Sequence, residues 1–157
     1  MSYDFNADEI FQMAEEIEQN GAKFYRNAAN AVTDPREKEL LNRLADMEDQ
    51  HEKTFSSMRK TLSEDEKAQT VFDPDDESAL YLKALADTRV FFKKELDFSS
   101  MKQILKGAIE AEKDSIVFYL GMKNAVPEKL GKDKIEAIIK EEMSHIRLLS
   151  KELLAAK

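Results

Sequence analysis

Cysteine and tryptophan are absent from the 157-residue chain, which holds only three prolines and four glycines. Without cysteine there can be no disulfide, no CxxC zinc ribbon and no thiolate-bound iron. So little glycine and proline argues against a loop-rich or all-β chain and against long disordered tracts. Basic residues are in the minority, 24 against 32 acidic, for a formal net charge of −8. That balance removes the usual electrostatic reason to bind nucleic acid or an anionic membrane. No apolar run approaches the roughly 18–20 residues that span a bilayer. The opening Met1-Ser2-Tyr3-Asp4-Phe5 also lacks the basic-then-apolar pattern of a secretory signal. A soluble, reducing, cytoplasmic setting is expected, and the length suits one domain with its own core.

What the chain does have is helical periodicity, with apolar residues returning every three or four positions. A first helix is expected from about Ala7 to Val32, with Ile10, Ala14, Ile17, Gly21, Phe24, Tyr25 and Ala28 on one side and Asn6 or Asp8 as its cap. Thr33-Asp34-Pro35 ends it and opens a second, with Leu41, Leu44, Met47, Phe55, Met58 and Leu62 inward. A third, capped by Ser99 or Ser100, presents Ile104, Ala108, Ala111, Phe118, Tyr119 and Met122. After the break at Val126-Pro127 a fourth runs to about Leu154, with Ile135, Ile138, Leu149 and Leu153 inward. Four long amphipathic helices predict an all-α four-helix bundle. The acidic stretch from about 63 to 98, with a turn at Phe72-Asp73-Pro74-Asp75 and a short helix near Glu77 to Thr88, reads as a packed crossover.

An internal repeat organises the rest. A shift of 94 positions carries Ala14 to Ala108, Glu18 to Glu112, Phe24-Tyr25 to Phe118-Tyr119, Glu48 to Glu142 and His51 to His145, with no gap. A helical hairpin, about 7–62, has therefore been duplicated as about 99–154. If the copies meet around a two-fold axis perpendicular to the bundle, the third helix runs antiparallel to the first, and a long crossover is required.

The chain's two histidines each follow a glutamate by three residues, in Glu48-Asp49-Gln50-His51 and Glu142-Met143-Ser144-His145. At that spacing a carboxylate and an imidazole share one helix face and reach a common point. Glu48 and His51 interrupt the second helix's apolar stripe, and Glu142 and His145 the fourth's. Glu18 and Glu112 interrupt those of the first and third. An unpaired buried carboxylate costs several kcal/mol, and gathered like charges cost more. Two divalent cations would neutralise four carboxylates. One Glu from each of two helices plus Glu-x-x-His from each of the other two is the ligand layout of ferritin-like di-iron and di-manganese bundles. Oxygen and imidazole donors suit iron or manganese, with zinc a possible substitute.

The segments Ala14-Glu15-Glu16-Ile17-Glu18-Gln19-Asn20-Gly21-Ala22-Lys23-Phe24-Tyr25 and Ala108-Ile109-Glu110-Ala111-Glu112-Lys113-Asp114-Ser115-Ile116-Val117-Phe118-Tyr119 resemble the first and third helices of the rubrerythrin family. The two ExxH motifs resemble its second and fourth. The resemblance implies a ferritin-like fold and a di-iron centre. Its ligands would be Glu18, Glu48, His51, Glu112, Glu142 and His145, with Glu48 and Glu142 bridging. It further implies reduction of peroxide, or reaction with dioxygen, in a homodimer. Tyr25 and Tyr119, one turn beyond Gly21 and Ser115, read either as donors to the ligand carboxylates or as core aromatics whose hydroxyls find some other partner. Two features depart from the family. There is no cysteine for a rubredoxin-like iron domain, so electrons would come from an external rubredoxin-like protein or flavoprotein. Ser115 stands where many members carry a further glutamate. The competing readings are a ferritin-like ferroxidase that handles iron, and a non-catalytic helical interaction module.

Overall fold

The computed structural model describes residues 7–62, 77–88, 97–126 and 128–156. Among them lie five α-helices, a single 3₁₀ turn at Glu128–Leu130 and no strand. The helices are α1 (Ala7–Ala31), α2 (Pro35–Lys60), α3 (Glu77–Thr88), α4 (Met101–Ala125) and α5 (Lys132–Ala155).

Local chemistry explains the boundaries. The Asp34 carboxylate accepts from the backbone N–H groups of Arg36 and Glu37, with Pro35 in the first turn of α2. The Ser100 hydroxyl accepts from the N–H of Gln103 and caps α4. Asp8 lies in the first turn of α1. The expected cap at Asn6, the turn at 72–75 and the break at Pro127 lie outside the described residues.

α1 and α2 form one hairpin, α4 and α5 the other. Contacts across the bundle show how they meet. Tyr25 of α1 reaches Glu112 of α4 while Tyr119 of α4 reaches Glu18 of α1, so these two helices run antiparallel. α2 and α5 do the same, with His51 beside Glu142 and His145 beside Glu48. Each contact is the other's image under the 94-residue shift, which is the symmetry expected of a duplicated hairpin. Arg26 ties α1 to Asp46 and Asp49 of α2, and Arg59 ties α2 to Asp8 and Glu15. Such partly exposed pairs fix register more than they add stability.

The core is divided in two. One apolar layer holds Phe11, Ile17, Phe55, Tyr119, Met122 and Ile138, and the other holds Phe24, Tyr25, Leu41, Leu44, Ile104 and Leu149. Each fully buried side chain of this size contributes about 1.5–3 kcal/mol. The acidic level of the sequence lies between these layers, with its six carboxylate and imidazole side chains buried. Met47 is a correction to the sequence reading. It is 36% exposed and lies at the edge of the core, because Glu48 and His51 define the centre of the α2 inner face and Met47 falls to one side, with only its sulfur reaching the His145 ring.

In α3, Leu82 is buried, and the Tyr81 hydroxyl donates to the Val117 carbonyl of α4 at 2.7 Å. The Tyr81 ring rests on Gly121, where an added Cβ would lie 2.6 Å from ring carbon. Gly121→Ala is therefore expected to destabilise the protein by about 1–3 kcal/mol through overpacking, although alanine is the better helix former. A thermal melt showing equal or greater stability would contradict that.

Candidate metal centre

Every one of the six singled-out ligand candidates is at most 4% exposed, and the structure brings all of them to one level of the bundle. Glu18 comes from α1, Glu48 and His51 from α2, Glu112 from α4, and Glu142 and His145 from α5. They form two groups, Glu18–Glu48–His51–Glu142 and Glu48–Glu112–Glu142–His145. Within each group one candidate ligand atom per residue lies within 4.8 Å of all the others.

Glu48 and Glu142 are common to both groups and point one oxygen at each histidine. Glu48 sets Oε2 3.8 Å from His51 Nδ1 and Oε1 3.7 Å from His145 Nδ1. Glu142 sets Oε1 2.7 Å from His51 Nδ1 and Oε2 3.6 Å from His145 Nδ1. Glu18 approaches only His51, and Glu112 only His145, each at 3.5 Å. The imidazoles face each other with ring centroids 6.0 Å apart.

These groups are poorly satisfied by one another. Glu18 Oε2, Glu112 Oε2, both oxygens of Glu142 and the Nδ1 atoms of both histidines are buried without a hydrogen-bond partner. The 2.7 Å approach of His51 Nδ1 to Glu142 is thus out of line for a hydrogen bond. Among the described residues, no lysine or arginine pairs with any of the six. Burial, then the charge of Glu142, pushes Glu18 upward, although Glu48 and His51 oppose the rise. Burial and the charges of Glu142 and Glu18 hold Glu48 well above the ordinary carboxylate value. Burial works against the charged form of Glu142 too, but the two histidines outweigh it and bring that carboxyl down. For His51, burial opposes protonation, yet Glu142 and Glu18 raise it from 6.5 to about 11.

Unpartnered lone pairs converging from oxygen and imidazole donors, with a surplus of negative charge, fit a pair of divalent cations. Glu18 and His51 would hold one ion, Glu112 and His145 the other, and Glu48 and Glu142 would span both.

Tyr25 donates its hydroxyl to Glu112 Oε1, and Tyr119 donates to Glu18 Oε1, both at 2.6 Å and both buried. Burial, reinforced by the surrounding carboxylates, keeps each phenol well above 10 and hence a donor. Each tyrosine orients the carboxylate of the opposite hairpin: Tyr119 leaves Glu18 Oε2 toward His51, whereas Glu112 Oε1, the oxygen that Tyr25 holds, is also the one 3.5 Å from His145 Nδ1. Tyr119→Phe leaves a buried carboxylate oxygen without its donor. Metal-free protein should lose about 1–3 kcal/mol by chemical denaturation, and metal affinity should fall about 10–100-fold in a titration. Unchanged affinity would show that the hydroxyl does not position Glu18.

Gly21 supplies space as well: an added Cβ would touch Glu48 Cγ and Cδ at 3.4 Å. At the corresponding position of the other hairpin, the Ser115 hydroxyl donates to its own helix, at the Ala111 carbonyl 3.1 Å away. Two contacts were missed in the sequence. Glu141 pairs with Nε2 of His51, and Sδ of Met47 lies 3.3 Å from Nε2 of His145. Their signal was present, since each immediately precedes the Glu of an ExxH motif.

A helical bundle with six such side chains at its centre is a carboxylate- and imidazole-lined bundle that could hold metal ions. A crystal structure described as a ferritin-like diiron-carboxylate protein from Thermotoga maritima has the same fold, with a TM-score of 0.71 at 23% identity over 98% of this chain and 97% of that one. The rubrerythrin family model matches residues 9–154, and the chain belongs to the rubrerythrin family. No functionally curated protein matches it significantly. Among the described residues, no helix is long and apolar enough to cross a membrane.

Proposed function

We propose that this chain is a two-iron oxidoreductase that reduces peroxide with electrons from an external donor. The observation that carries the reading is the shared pair Glu48 and Glu142, each aiming one oxygen at either histidine in a buried, unsatisfied cluster. Two ferrous ions bound there would supply the two electrons that peroxide needs to become two waters, with two protons from solvent.

The side chains have separable tasks. Glu48 and Glu142 set the spacing of the two ion positions. Nδ1 of His51 and of His145 would complete each position. The phenols of Tyr25 and Tyr119 hold Glu112 and Glu18 in place. The apolar layers on either side, with Phe55 and Phe24 next to the tyrosines, limit water at the centre. With no cysteine, the chain has no thiolate cluster of its own to relay electrons, so a separate rubredoxin-like protein or flavoprotein is the fitting reductant.

The test is anaerobic iron loading and reduction, followed by hydrogen peroxide in one sample and air in another, monitored by diferric absorption. Fast oxidation by peroxide and slow oxidation by air is expected. The reverse order would support an iron-oxidising, ferritin-like role instead.

A further inference from the structure

The two halves of the cluster match in their ligand candidates and differ directly behind them. On the His51 side, the outer ring nitrogen Nε2 meets the carboxylate of Glu141. On the His145 side, Nε2 meets the thioether sulfur of Met47 at 3.3 Å. Met47 and Glu141 are separated by the same 94 positions that relate the hairpins, so they occupy equivalent places with different chemistry.

We infer that Glu141 and Met47 make the two metal positions unequal: the Glu18–Glu48–His51–Glu142 position takes the first divalent cation and holds it more tightly than the Glu48–Glu112–Glu142–His145 position. This rests on the reading of the cluster as a metal centre. A carboxylate that accepts from Nε2–H selects the tautomer whose Nδ1 lone pair faces inward. It also fixes the ring's orientation and makes the ligand nitrogen more electron-rich. A thioether is a weak acceptor and supplies little of this. The ligand candidates are the same residue types on both sides, with a tyrosine hydroxyl on each terminal glutamate; Gly21 and Ser115 differ too, but the Ser115 hydroxyl bonds its own helix and neither touches a histidine. The difference in what the outer nitrogen of each histidine meets therefore lies in this pair. Glu141 and Met47 act through the histidines, as positioning residues.

The experiment is the anomalous occupancy of zinc in crystals of the full chain equilibrated with one equivalent of zinc at fixed pH. Wild type, Glu141→Met, which makes both sides thioether, and Met47→Glu, which makes both carboxylate, are compared. Both residues lie at the rim, Glu141 with about half its side chain exposed, so the core is undisturbed. Circular dichroism confirms that each variant folds. In wild type, zinc should favour the His51 position about tenfold or more. The ratio should fall toward one in each variant, by a loss at His51 in Glu141→Met and a gain at His145 in Met47→Glu. Equal occupancy in wild type, or a ratio that neither variant changes, overturns the inference. Zinc at neither position, even with excess metal, overturns the metal reading itself and is thereby distinguished from the first failure.

Discussion

Glu48→Gln is expected to raise the melting temperature of the metal-free protein while abolishing its capacity for two metal ions. In the folded chain, burial and the neighbouring Glu142 and Glu18 hold the Glu48 carboxyl well above its ordinary value, so its charged form is disfavoured where it sits. A neutral isostere removes that repulsion, and each kcal/mol relieved is worth about 2–4 °C in a domain of this size. Yet Glu48 is common to both groups of ligand candidates. Loss of a mere supporting contact behind a ligand costs about 10–100-fold in affinity, so loss of a shared carboxylate should cost at least as much at each position. Glu142→Gln should lose metal equally but destabilise the metal-free fold, because Glu142 is the carboxylate that the two histidines hold in its charged form. Thermal melts in chelator, paired with metal analysis after iron loading, test both variants. If Glu48→Gln lowers the metal-free melting temperature, or retains two ions, the electrostatic account of the centre is wrong.

The second large effect is a change of sign in the pH dependence of stability. In metal-free protein, Glu18 and Glu48 lie above 4.5, so their contribution is complete below that value and is lost as pH rises through their raised values. His51, raised from 6.5 to about 11, contributes fully below 6.5, and its share fades as pH climbs toward 11. Glu142 acts in the opposite direction, its contribution present above 4.5 and lost as pH falls through its lowered value. Above 4.5 the Glu142 contribution is already complete, so the raised groups set the trend and stability should decline as pH climbs from 4.5 toward about 11. Metal reverses the trend, since ligands must shed protons to bind and affinity grows with pH. At a free concentration 100 times Kd, binding adds about 2.7 kcal/mol. Melts across this range, with and without manganese, should therefore diverge as pH rises. Parallel curves would mean that metal and protons do not compete for the same atoms.

Most of this arrangement was legible before the structure. The apolar stripes located the four long helices, and Asp34 and Ser100 announced two of the caps. The gapless 94-residue repeat implied antiparallel pairing of α1 with α4, and the breaks in those stripes singled out the six acidic and imidazole side chains. What could not be read depends on the register between helices distant in sequence. The sequence left the tyrosines open between carboxylate donors and core aromatics, and their crossed pairing, Tyr25 with Glu112 and Tyr119 with Glu18, follows from the way the hairpins dock. Met47 was assigned inward because periodicity counts any apolar residue near the stripe, and cannot see that Glu48 and His51 occupy the centre of that face. Nothing in the periodicity marks Glu141, whose side chain is about half exposed; its carboxylate nonetheless turns onto His51, 90 positions away. Ser115 was noted for the glutamate it replaces, and its hydroxyl turns out to bond its own helix.

The most direct test of the central claim is anomalous diffraction at the iron edge from crystals of the iron-loaded protein. Two iron atoms should appear in the core, one ligated by Glu18 and His51 and the other by Glu112 and His145, with Glu48 and Glu142 touching both. A well-ordered crystal grown with iron in excess, in which these six side chains contact no metal, would contradict it.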